Sequence, residues 1–430
     1  MYSRRDDSFR LSIGSAGRKA AVEIALVLVA VSYAAFAAAH FAAAALSNHT
    51  VLSHLQWATR LDPWNGKYQN TLGRYQLFAA NRPELAVSFF RRATGLNPFS
   101  SRYWLDLASA EYLIADHTAA DSALRHANSV DPKTPNTAWE AANIYLAMGE
   151  PSQALRTFRT VMEGDSALRG QALEYCWRLN PQADSLLRET VPPNATADFL
   201  ELLISKNEAS GAASAWDRIV QLQQPVDRQH IFNYLQFLIA RQYFAKAKSV
   251  WSQSAAVAGL THYQPSPRNM IVNGDFQFAV LNAGFDWRYE KKTGVRLSLD
   301  PSQIRTGIRS LQINFDSSGL DDAGIYQLVP VDSNAQYELA ANFRSEDLRG
   351  AGGPRLVVQD FVSGQTSYSS DELRSDKAWS RTQGVFSTGP ETQLVLLRVA
   401  RVPANNAIRG KLWIDGVSLK PVHTLAEAGQ

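Results

Sequence analysis

Residues 104–132 read WLDLASAEYLIADHTAADSALRHANSVDP and carry the pattern that decides the fold of the first half of the chain. The stretch closes with Asp131-Pro132, and similar pairs occur at Asp62-Pro63 and Asn97-Pro98, at spacings of 35 and 34 residues. The residue before a proline is pushed out of the α region, so each pair predicts the end of a helix. A period of this length is typical of a solenoid built from helix-turn-helix units.

The residues that precede each proline extend the match. Counting back from Pro132, the positions that tetratricopeptide repeats fill with Trp, Leu, a small residue, Ala, an aromatic residue and Ala hold Trp104, Leu107, Ala108, Ala120, Leu124 and Ala127. The units on either side supply Leu72, Gly73, Ala86, Phe90 and Ala93, and then Trp139, Tyr145, Gly149, Ala154 and Phe158. Residues 47–163 therefore resemble a tetratricopeptide repeat array, and the resemblance implies an all-α solenoid that holds a protein partner in its concave groove.

Residues 164–262 keep the helical spacing of apolar residues but lose the repeat signature, so they are predicted to be diverged helical repeats. Aromatic residues at helical spacing usually pack inside, which predicts that the tryptophans of the whole helical region are mostly core: Trp57, Trp64, Trp104, Trp139, Trp177, Trp216 and Trp251. The single cysteine, Cys176, can form no internal disulfide and is predicted to be a small buried apolar residue rather than a nucleophile.

The N-terminal segment is apolar enough to cross a membrane. Between Lys19 and Arg60 the only formal charge is Glu23, and residues 20–46 exceed the roughly 20 helical residues that span a bilayer core of about 30 Å. Residues 1–19 are predicted to be a basic cytoplasmic tail, because positive charge favours the cytoplasmic side. The chain is then a single-pass protein of the inner (cytoplasmic) membrane, with its bulk in the periplasm or outside the cell.

Two alternatives remain open for this segment. The Ala-rich end at residues 42–47 offers small residues that a signal peptidase could cut, although the apolar core of a signal peptide is only about 7 to 15 residues long. A buried helix of a soluble domain would have the same apolar character, but its sequence would show amphipathic alternation. The length of the run favours an uncleaved anchor.

After residues 263–267 the helical spacing gives way to short alternating runs separated by turn residues, which indicates strands. Alternation at residues 337–344 predicts that Tyr337, Leu339, Ala341 and Phe343 face one way and Glu338, Ala340, Asn342 and Arg344 the other. Similar runs occur at residues 311–315, 325–331, 356–361, 394–402 and 411–420. Eight or more strands over residues 268–422 predict a two-sheet, all-β jelly-roll sandwich.

Particular motifs make this region resemble jelly-roll carbohydrate-binding modules. They are the opening run IVNGDFQ at residues 271–277, FDW at 285–287 and the closing run LWIDGVSL at 412–419. The family commonly holds a structural calcium between an acidic residue after the first Phe and the Asp of the last strand. These positions are Gln277 and Asp415 here, and the lost carboxylate would weaken a calcium site.

A sugar site needs flat aromatic faces and planar polar groups on one open surface. The outward or loop positions of the predicted sandwich supply four candidates for carbohydrate binding: Tyr289, Arg344, Gln359 and Tyr368. Trp287, Trp379 and Trp413 stand where the resembled modules have core residues. The four candidates make a site only if the fold brings them together.

Composition and motifs argue against several classes of function. The chain holds 43 basic and 40 acidic residues, so its formal charge of +3 provides no field to attract nucleic acid. Neither a GxSxG elbow nor a Walker glycine loop nor a zinc-binding spacing occurs in the sequence. The sequence thus predicts a protein that is not an enzyme.

These features predict a membrane-anchored adaptor that binds protein through its helical repeats and glycan through its sandwich, in polysaccharide assembly or export. Two other hypotheses stay open. The chain could be an accessory subunit of a glycoside-processing enzyme, or the sandwich could serve only as a cap on the last helix of the solenoid.

Overall fold

A computed structural model describes residues 14–48, 51–375 and 377–422. Most of the predicted basic tail therefore lies outside the described residues. The fold divides between Asn194 and Ala195 into two compact units, and each is described separately. This division falls inside the stretch that the sequence predicts as diverged repeats, so the last four helices belong to the unit that contains the sandwich.

The first unit is entirely helical. It opens with α1 (Ala16–Ser47), whose first turn is capped by the Ser15 hydroxyl accepting from the Arg18 N–H. The helices that follow are α2 (Leu52–Leu61), α3 (Gly66–Arg74, continued by a π-helical turn at Tyr75–Ala79), α4 (Pro83–Leu96), α5 (Ser101–Leu113), α6 (His117–Val130), α7 (Pro135–Ala147), α8 (Pro151–Gly164), α9 (Ser166–Leu179) and α10 (Ala183–Glu189).

The predicted repeat pattern is confirmed. Asp62, Asn97 and Asp131 are the residues at which α2, α4 and α6 end. The small residues Ala86, Ala120 and Ala154 are fully buried, and so are the larger residues that fill the space between units, Phe90, Leu124 and Phe158. Gly73 shows why a small residue is needed on the first helix, since a Cβ there would lie 2.6 Å from the ring of Phe90.

The prediction for the tryptophans is partly wrong. Trp216 and Trp251 are buried, but Trp57 is 53% exposed and Trp64 is 82% exposed. Trp57 lies on the solvent side of α2, and Trp64 lies in the turn that follows this helix. Cys176 is fully buried, as predicted, and burial raises the pKa of its thiol to about 12.

The second unit joins four helices to the sandwich. The helices are α11 (Thr196–Ser205), α12 (Ala209–Leu222), α13 (Arg228–Ala240) and α14 (Phe244–Ala258). The strands are β1 (Arg288–Tyr289), β2 (Val295–Asp300), β3 (Ser310–Gly319), β4 (Asp322–Pro330), β5 (Gln336–Arg349), β6 (Pro354–Asp360), β7 (Thr366–Ser369), β8 (Ser380–Ser387), β9 (Leu394–Arg401) and β10 (Ala407–Pro421).

The strands form two antiparallel five-stranded sheets, as the fold prediction required. Sheet 1 has the order β1-β4-β9-β6-β7 and sheet 2 has the order β2-β3-β10-β5-β8. The predicted inward set on β5, from Tyr337 to Phe343, lies in the core that the two sheets enclose, together with Trp287. The predicted core position of Trp413 is also buried, but on the opposite face of β10 from the core residues Leu412 and Ile414.

The last helices of this unit pack against the sandwich. The Arg288 guanidinium of β1 donates to Gln236 on α13 at 3.1 Å, and the rings of Trp251 on α14 and Phe285 lie 5.9 Å apart. Gly284 fits beneath Trp251 because it has no side chain, since a Cβ there would lie 2.1 Å from the indole ring. The last helices of the second unit therefore pack directly against its sandwich.

Candidate functional site

A line of charged side chains crosses the first helices of the repeat units. Helix α5 contacts both α3 and α7, so the first helices of successive units lie side by side. Residues four apart on a helix share one face. The spacing therefore puts Asn70 and Arg74 of α3 on one face, and Arg102 and Asp106 of α5 on another that meets it.

Hydrogen bonds join these side chains across the helices into a charge ladder, defined by Asn70, Arg74, Arg102, Asp106 and Glu140. Asp106 Oδ1 accepts from Arg74 Nη1 and from Arg102 Nη2, at 2.9 Å each, and Asp106 Oδ2 accepts from Asn70 Nδ2 at 2.8 Å. Arg102 Nη1 donates to both carboxylate oxygens of Glu140 on α7 at 2.8 Å. Three successive first helices are thereby tied together.

The charge ladder combines a buried centre with accessible ends. The side chain of Asp106 is 4% exposed, whereas those of Arg74, Arg102 and Glu140 are 41%, 43% and 45% exposed. Burial alone would lower the pKa of Arg102, but the carboxylates of Asp106 and Glu140 outweigh it and raise that pKa. Both guanidinium groups stay charged and partly accessible to solvent, which suits recognition of carboxylate and backbone carbonyl groups.

Two exposed apolar residues continue the same helical faces. Phe78 follows Arg74 by one turn, is 66% exposed, and has the Arg74 guanidinium 5.4 Å from the centre of its ring. Leu113, at the end of α5, is 57% exposed. Polar groups flanked by accessible apolar side chains are the usual composition of a surface that binds a peptide.

The structure does not bring the four predicted carbohydrate-binding residues onto one surface. Arg344 is on sheet 2, and the other three residues are on sheet 1. Gln359 alternates with the core residue Val358 and so faces outward, where its amide donates to Thr366 at 3.1 Å. Tyr368 pairs with Val358 and packs inward on the core, while Tyr289 is half-exposed at the edge of the sheet.

Arg344 lies over Trp413 on the outer face of sheet 2. Its guanidinium is 5.7 Å from the centre of the indole ring, and its Nη2 is 3.5 Å from Glu346. The indole N–H of Trp413 donates to Asp300 at 2.8 Å, and the side chain is only 3% exposed. Arg344 therefore covers an aromatic ring that would otherwise be free to stack on a sugar.

A hollow on the outer face of sheet 1 was not predicted. It has a volume of about 320 Å³ and is lined by Arg288, Tyr326, Phe361 and Arg398 of the sandwich side, among others, and by Gln236 of α13. Arg398 is 3.4 Å from Asp322, and burial lowers the pKa of Arg288. Only the docking of α13 creates this hollow, so no signal in the sequence of the sandwich could have indicated it.

The two predicted calcium ligands, Asp415 and Gln277, each form hydrogen bonds with other protein groups. The Asp415 carboxylate accepts from the N–H groups of Arg305 and Thr306 at 2.8 and 2.7 Å, and from the Thr306 hydroxyl at 2.6 Å. Gly307, the next residue, lies against Gln277, whose amide donates to Asp275 at 2.7 Å. Donors rather than ligating oxygens face Asp415, so these residues do not fit a calcium ion.

The guanidinium of Arg309 lies beside Gln277, one of the two predicted calcium ligands. Arg309 donates to the carbonyl oxygens of Phe276 and Gln277, at 2.8 and 2.9 Å. These carbonyls are therefore taken up by the protein itself. Among the residues that the structure describes, no cluster of three or more His, Cys, Asp or Glu side chains could hold a metal ion.

No protein-family model matches the chain, and no curated protein matches it. Solved structures resemble parts of it. A CBM4 structure is 14% identical and covers 35% of this chain and 99% of its own, with a TM-score of 0.29. The CBM22-1 xylan-binding domain of Paenibacillus barcinonensis Xyn10C is 18% identical and covers 35% and 93%, with a TM-score of 0.25.

The helical part has its own likeness among solved structures. The Yersinia enterocolitica type III secretion chaperone SycD, in complex with a peptide of the translocator YopD, is 18% identical and covers 27% of this chain and 92% of its own, with a TM-score of 0.24. Each likeness covers one part of the chain. At these identities the likenesses bear on neither the ligand nor the partner of this protein.

Proposed function

We propose that this chain is a non-enzymatic adaptor, anchored in a membrane by α1, which binds a protein partner on the charge ladder. The ladder is the observation that carries the proposal. Its central carboxylate is fixed by donors from three side chains, while two arginines and a glutamate stay accessible, and the exposed Phe78 and Leu113 follow on the same helices. Such a preorganised surface loses little entropy when a peptide binds.

A pair of charge reversals tests this role. Arg102→Glu breaks two rungs of the ladder, whereas Arg125→Glu reverses a charge on α6 whose partner is Asp121 on the same helix. A photo-crosslinking residue in place of Phe78 or Leu113 should capture the partner in cells, and one in place of Leu85, an exposed residue of the second helix α4, should not. Arg102→Glu should abolish capture and Arg125→Glu should preserve it.

Membrane anchoring is supported by the length and composition of α1. This helix has 32 residues, and the segment from Ala20 to Ala39 contains one formal charge, Glu23. At 1.5 Å per residue those 20 residues cover about 30 Å, the thickness of the hydrocarbon core. Basic residues before the helix favour a cytoplasmic N-terminus and a periplasmic or extracellular bulk.

Two measurements test the anchor and its orientation. The mass of the mature protein distinguishes a retained helix from a cleaved signal peptide, which would remove residues before about Ser47. Alkaline phosphatase fused after Gln430 should be active, because it folds only outside the cytoplasm. A reporter that is active only in the cytoplasm would overturn the orientation.

The finer proposal is that the adaptor serves polysaccharide assembly or export, with glycan bound in the hollow of sheet 1. A hollow of this size is at the lower end of the range for ligand sites, and its arginines and aromatic rings suit a polar ring-shaped ligand. Affinity electrophoresis of the full chain against a panel of polysaccharides tests this. Retardation that is lost in Arg398→Ala and kept in Arg381→Ala, on the outer face of sheet 2, would support it.

A second candidate role for the sandwich is that of a structural cap. The packing of α13 and α14 against it, through Gln236 and Trp251, favours this role because the end of a helical array needs cover. A chain that ends at Tyr263 should then aggregate, even if no polysaccharide retards the full chain. The accessory-subunit hypothesis requires instead that a glycoside-processing enzyme co-purifies with the chain in stoichiometric amount.

A further inference from the structure

The way α1 joins the repeats determines which edge of the first unit faces the bilayer. Ala43 of α1 packs on Ala58 of α2 and on Tyr68. His40 lies one turn before Ala43, and its side chain bonds at 2.9 Å to Asp62, which lies one turn after Ala58. Earlier residues of α1 therefore meet later residues of α2. The two helices form an antiparallel hairpin, and α2 runs back toward the membrane.

The length of the membrane-spanning segment determines where along α1 the membrane surface lies. If Ala20 begins the hydrocarbon crossing, about 20 residues later the helix leaves it near His40. Asp62 is bonded to His40, so the end of α2 and the turn Asp62–Asn65 lie at the same height above the membrane as His40. This turn is closed by Asn65, whose N–H and side chain donate to Asp62.

The equivalent turns of the next two units lie on the same edge. Helices α4 and α6 are the second helices of their units, as α2 is, so the turns Asn97–Ser100 and Asp131–Thr134 project to the same side. Gly66, just after the first turn, sits so close to the end of α4 that a Cβ would be 3.1 Å from the Ala93 carbonyl. We call these three turns the turn edge.

The residue after each proline occupies the tip of its turn. In the turn edge these residues are Trp64, Phe99 and Lys133. Trp64 and Phe99 are 82% and 83% exposed, the two highest values among the large apolar side chains that the structure describes. Two aromatic side chains held this far out of a packed unit, at equivalent positions, indicate a surface with a partner.

The charges of the turn edge suit a lipid surface. Its two carboxylates are engaged, because Asp62 pairs with His40 and Asp131 accepts from Thr137 at 2.7 Å. Lys133 is exposed, as are Arg60 and Lys67 beside the first turn. Aromatic rings prefer the level of the lipid headgroups, and basic side chains are attracted to anionic lipid.

We propose that the turn edge docks on the surface of the bilayer that holds α1, with Trp64 and Phe99 among the headgroups and Lys133 near the lipid phosphates. The inference rests on the proposed membrane anchor. It makes the first unit lie against the membrane on a fixed edge instead of moving freely on its helix. The charge ladder is then held at one orientation to the bilayer.

The test places an environment-sensitive fluorophore at single cysteines in the full chain, reconstituted in vesicles of phosphatidylcholine and phosphatidylglycerol. Trp64→Cys and Phe99→Cys report the turn edge, and Leu113→Cys, an exposed residue at the opposite end of a first helix, is the matched control. Cys176 is fully buried and does not compete for the label. Lipid spin-labelled near the headgroup then acts as quencher.

The expected result is emission at shorter wavelength and several-fold stronger quenching at positions 64 and 99 than at position 113. Equal quenching at all three, in chains that stay with the vesicles, overturns the docking and leaves the anchor intact. Chains that do not sediment with vesicles overturn the anchor and the docking together. Shifts at 64 and 99 that need added membrane protein, and fail in pure lipid, would show that the occupant is a protein.

Discussion

The repeat region and the sandwich both bury a carboxylate, but they hold it with different groups. Asp106, in the repeats, is held by the charged side chains of Arg74 and Arg102, which remain partly in water. Asp415, in the sandwich, is held by two backbone N–H groups and a hydroxyl from the loop at Arg305 and Thr306. The first arrangement links neighbouring helices, and the second closes a loop some 110 residues away in sequence.

This difference predicts how each region responds to the loss of its carboxylate. Half-exposed guanidinium groups can recover hydrogen bonds from water. Backbone N–H groups enclosed in a loop cannot, and each donor left without an acceptor costs about 1 to 3 kcal/mol. Loss of Asp106 from the charge ladder should therefore lower the free energy of unfolding less than loss of Asp415 from the sandwich.

The largest effect is expected for Asp415→Ala. It removes the acceptor of three hydrogen bonds at once and should lower the free energy of unfolding of the sandwich by about 4 kcal/mol. Urea unfolding measures this value. Asp316→Ala is the control, because this exposed carboxylate bonds only to Ser318 nearby, and a comparable loss there would remove the argument from loop anchoring.

The next effect is a pH dependence caused by Asp286. Burial raises the pKa of this carboxyl to about 7, although bonds from backbone N–H groups such as that of Leu281 oppose the rise. The unfolded chain releases the proton near pH 4, so between about pH 4 and pH 7 the folded chain binds more protons. Its stability must therefore fall as the pH rises through this window.

Asp286→Asn should remove that dependence. The variant keeps an acceptor for the Leu281 N–H but cannot ionise, so its stability curve should be flatter by roughly 3 kcal/mol between pH 4 and pH 7. Thermal unfolding across this pH range measures the effect. A wild-type curve that rises with pH in the same window, and matches the variant, would contradict the raised pKa.

A smaller effect is expected in the charge ladder. Asp106→Asn leaves two arginines without their shared carboxylate, but both reach water, so the expected loss is about 2 kcal/mol, as for hydrogen bonds to a charged group. Glu140→Gln alters an exposed rung and should cost less than about 1 kcal/mol. Equal losses for the two variants would mean that burial does not distinguish the centre of the ladder from its end.

The smallest expected effect is that of calcium. Since Asp415 is engaged by N–H and hydroxyl donors and Arg309 bonds the carbonyls near Gln277, neither added calcium nor a chelator should shift the melting temperature. Differential scanning calorimetry with and without calcium tests this. A rise in melting temperature with calcium that Asp415→Ala abolishes would restore the predicted metal site.

Sequence reasoning identified the parts whose signals are local. The ends of α2, α4 and α6 follow from Asx-Pro pairs, and the inward set of β5 follows from alternation, because both depend only on near neighbours in the chain. The exposure of Trp64 could also have been predicted from the sequence. It occupies the same turn position as the polar Lys133, and that equivalence indicates a turn tip rather than a core position.

The candidate sites were harder to predict, because they depend on which elements become neighbours. Tyr368 was predicted to face outward, but it pairs with the core residue Val358 on β6, and its side chain therefore packs against the core. The i, i+4 spacing of Arg102 and Asp106 is visible in the sequence, yet only the stacking of α3, α5 and α7 shows that Arg74 and Glu140 complete the ladder.

The sequence by itself determined the apolar N-terminal helix, the period and helix ends of the repeats, and the two-sheet sandwich, since hydrophobic periodicity and proline act over a few residues. Only the tertiary structure decided that the last four helices join the sandwich, that Arg305 and Thr306 donate to Asp415, and that Asp62, in the first turn of the turn edge, is bonded to His40. The physical reason is that these outcomes depend on contacts between residues distant in the chain, whose geometry is settled only when whole elements pack.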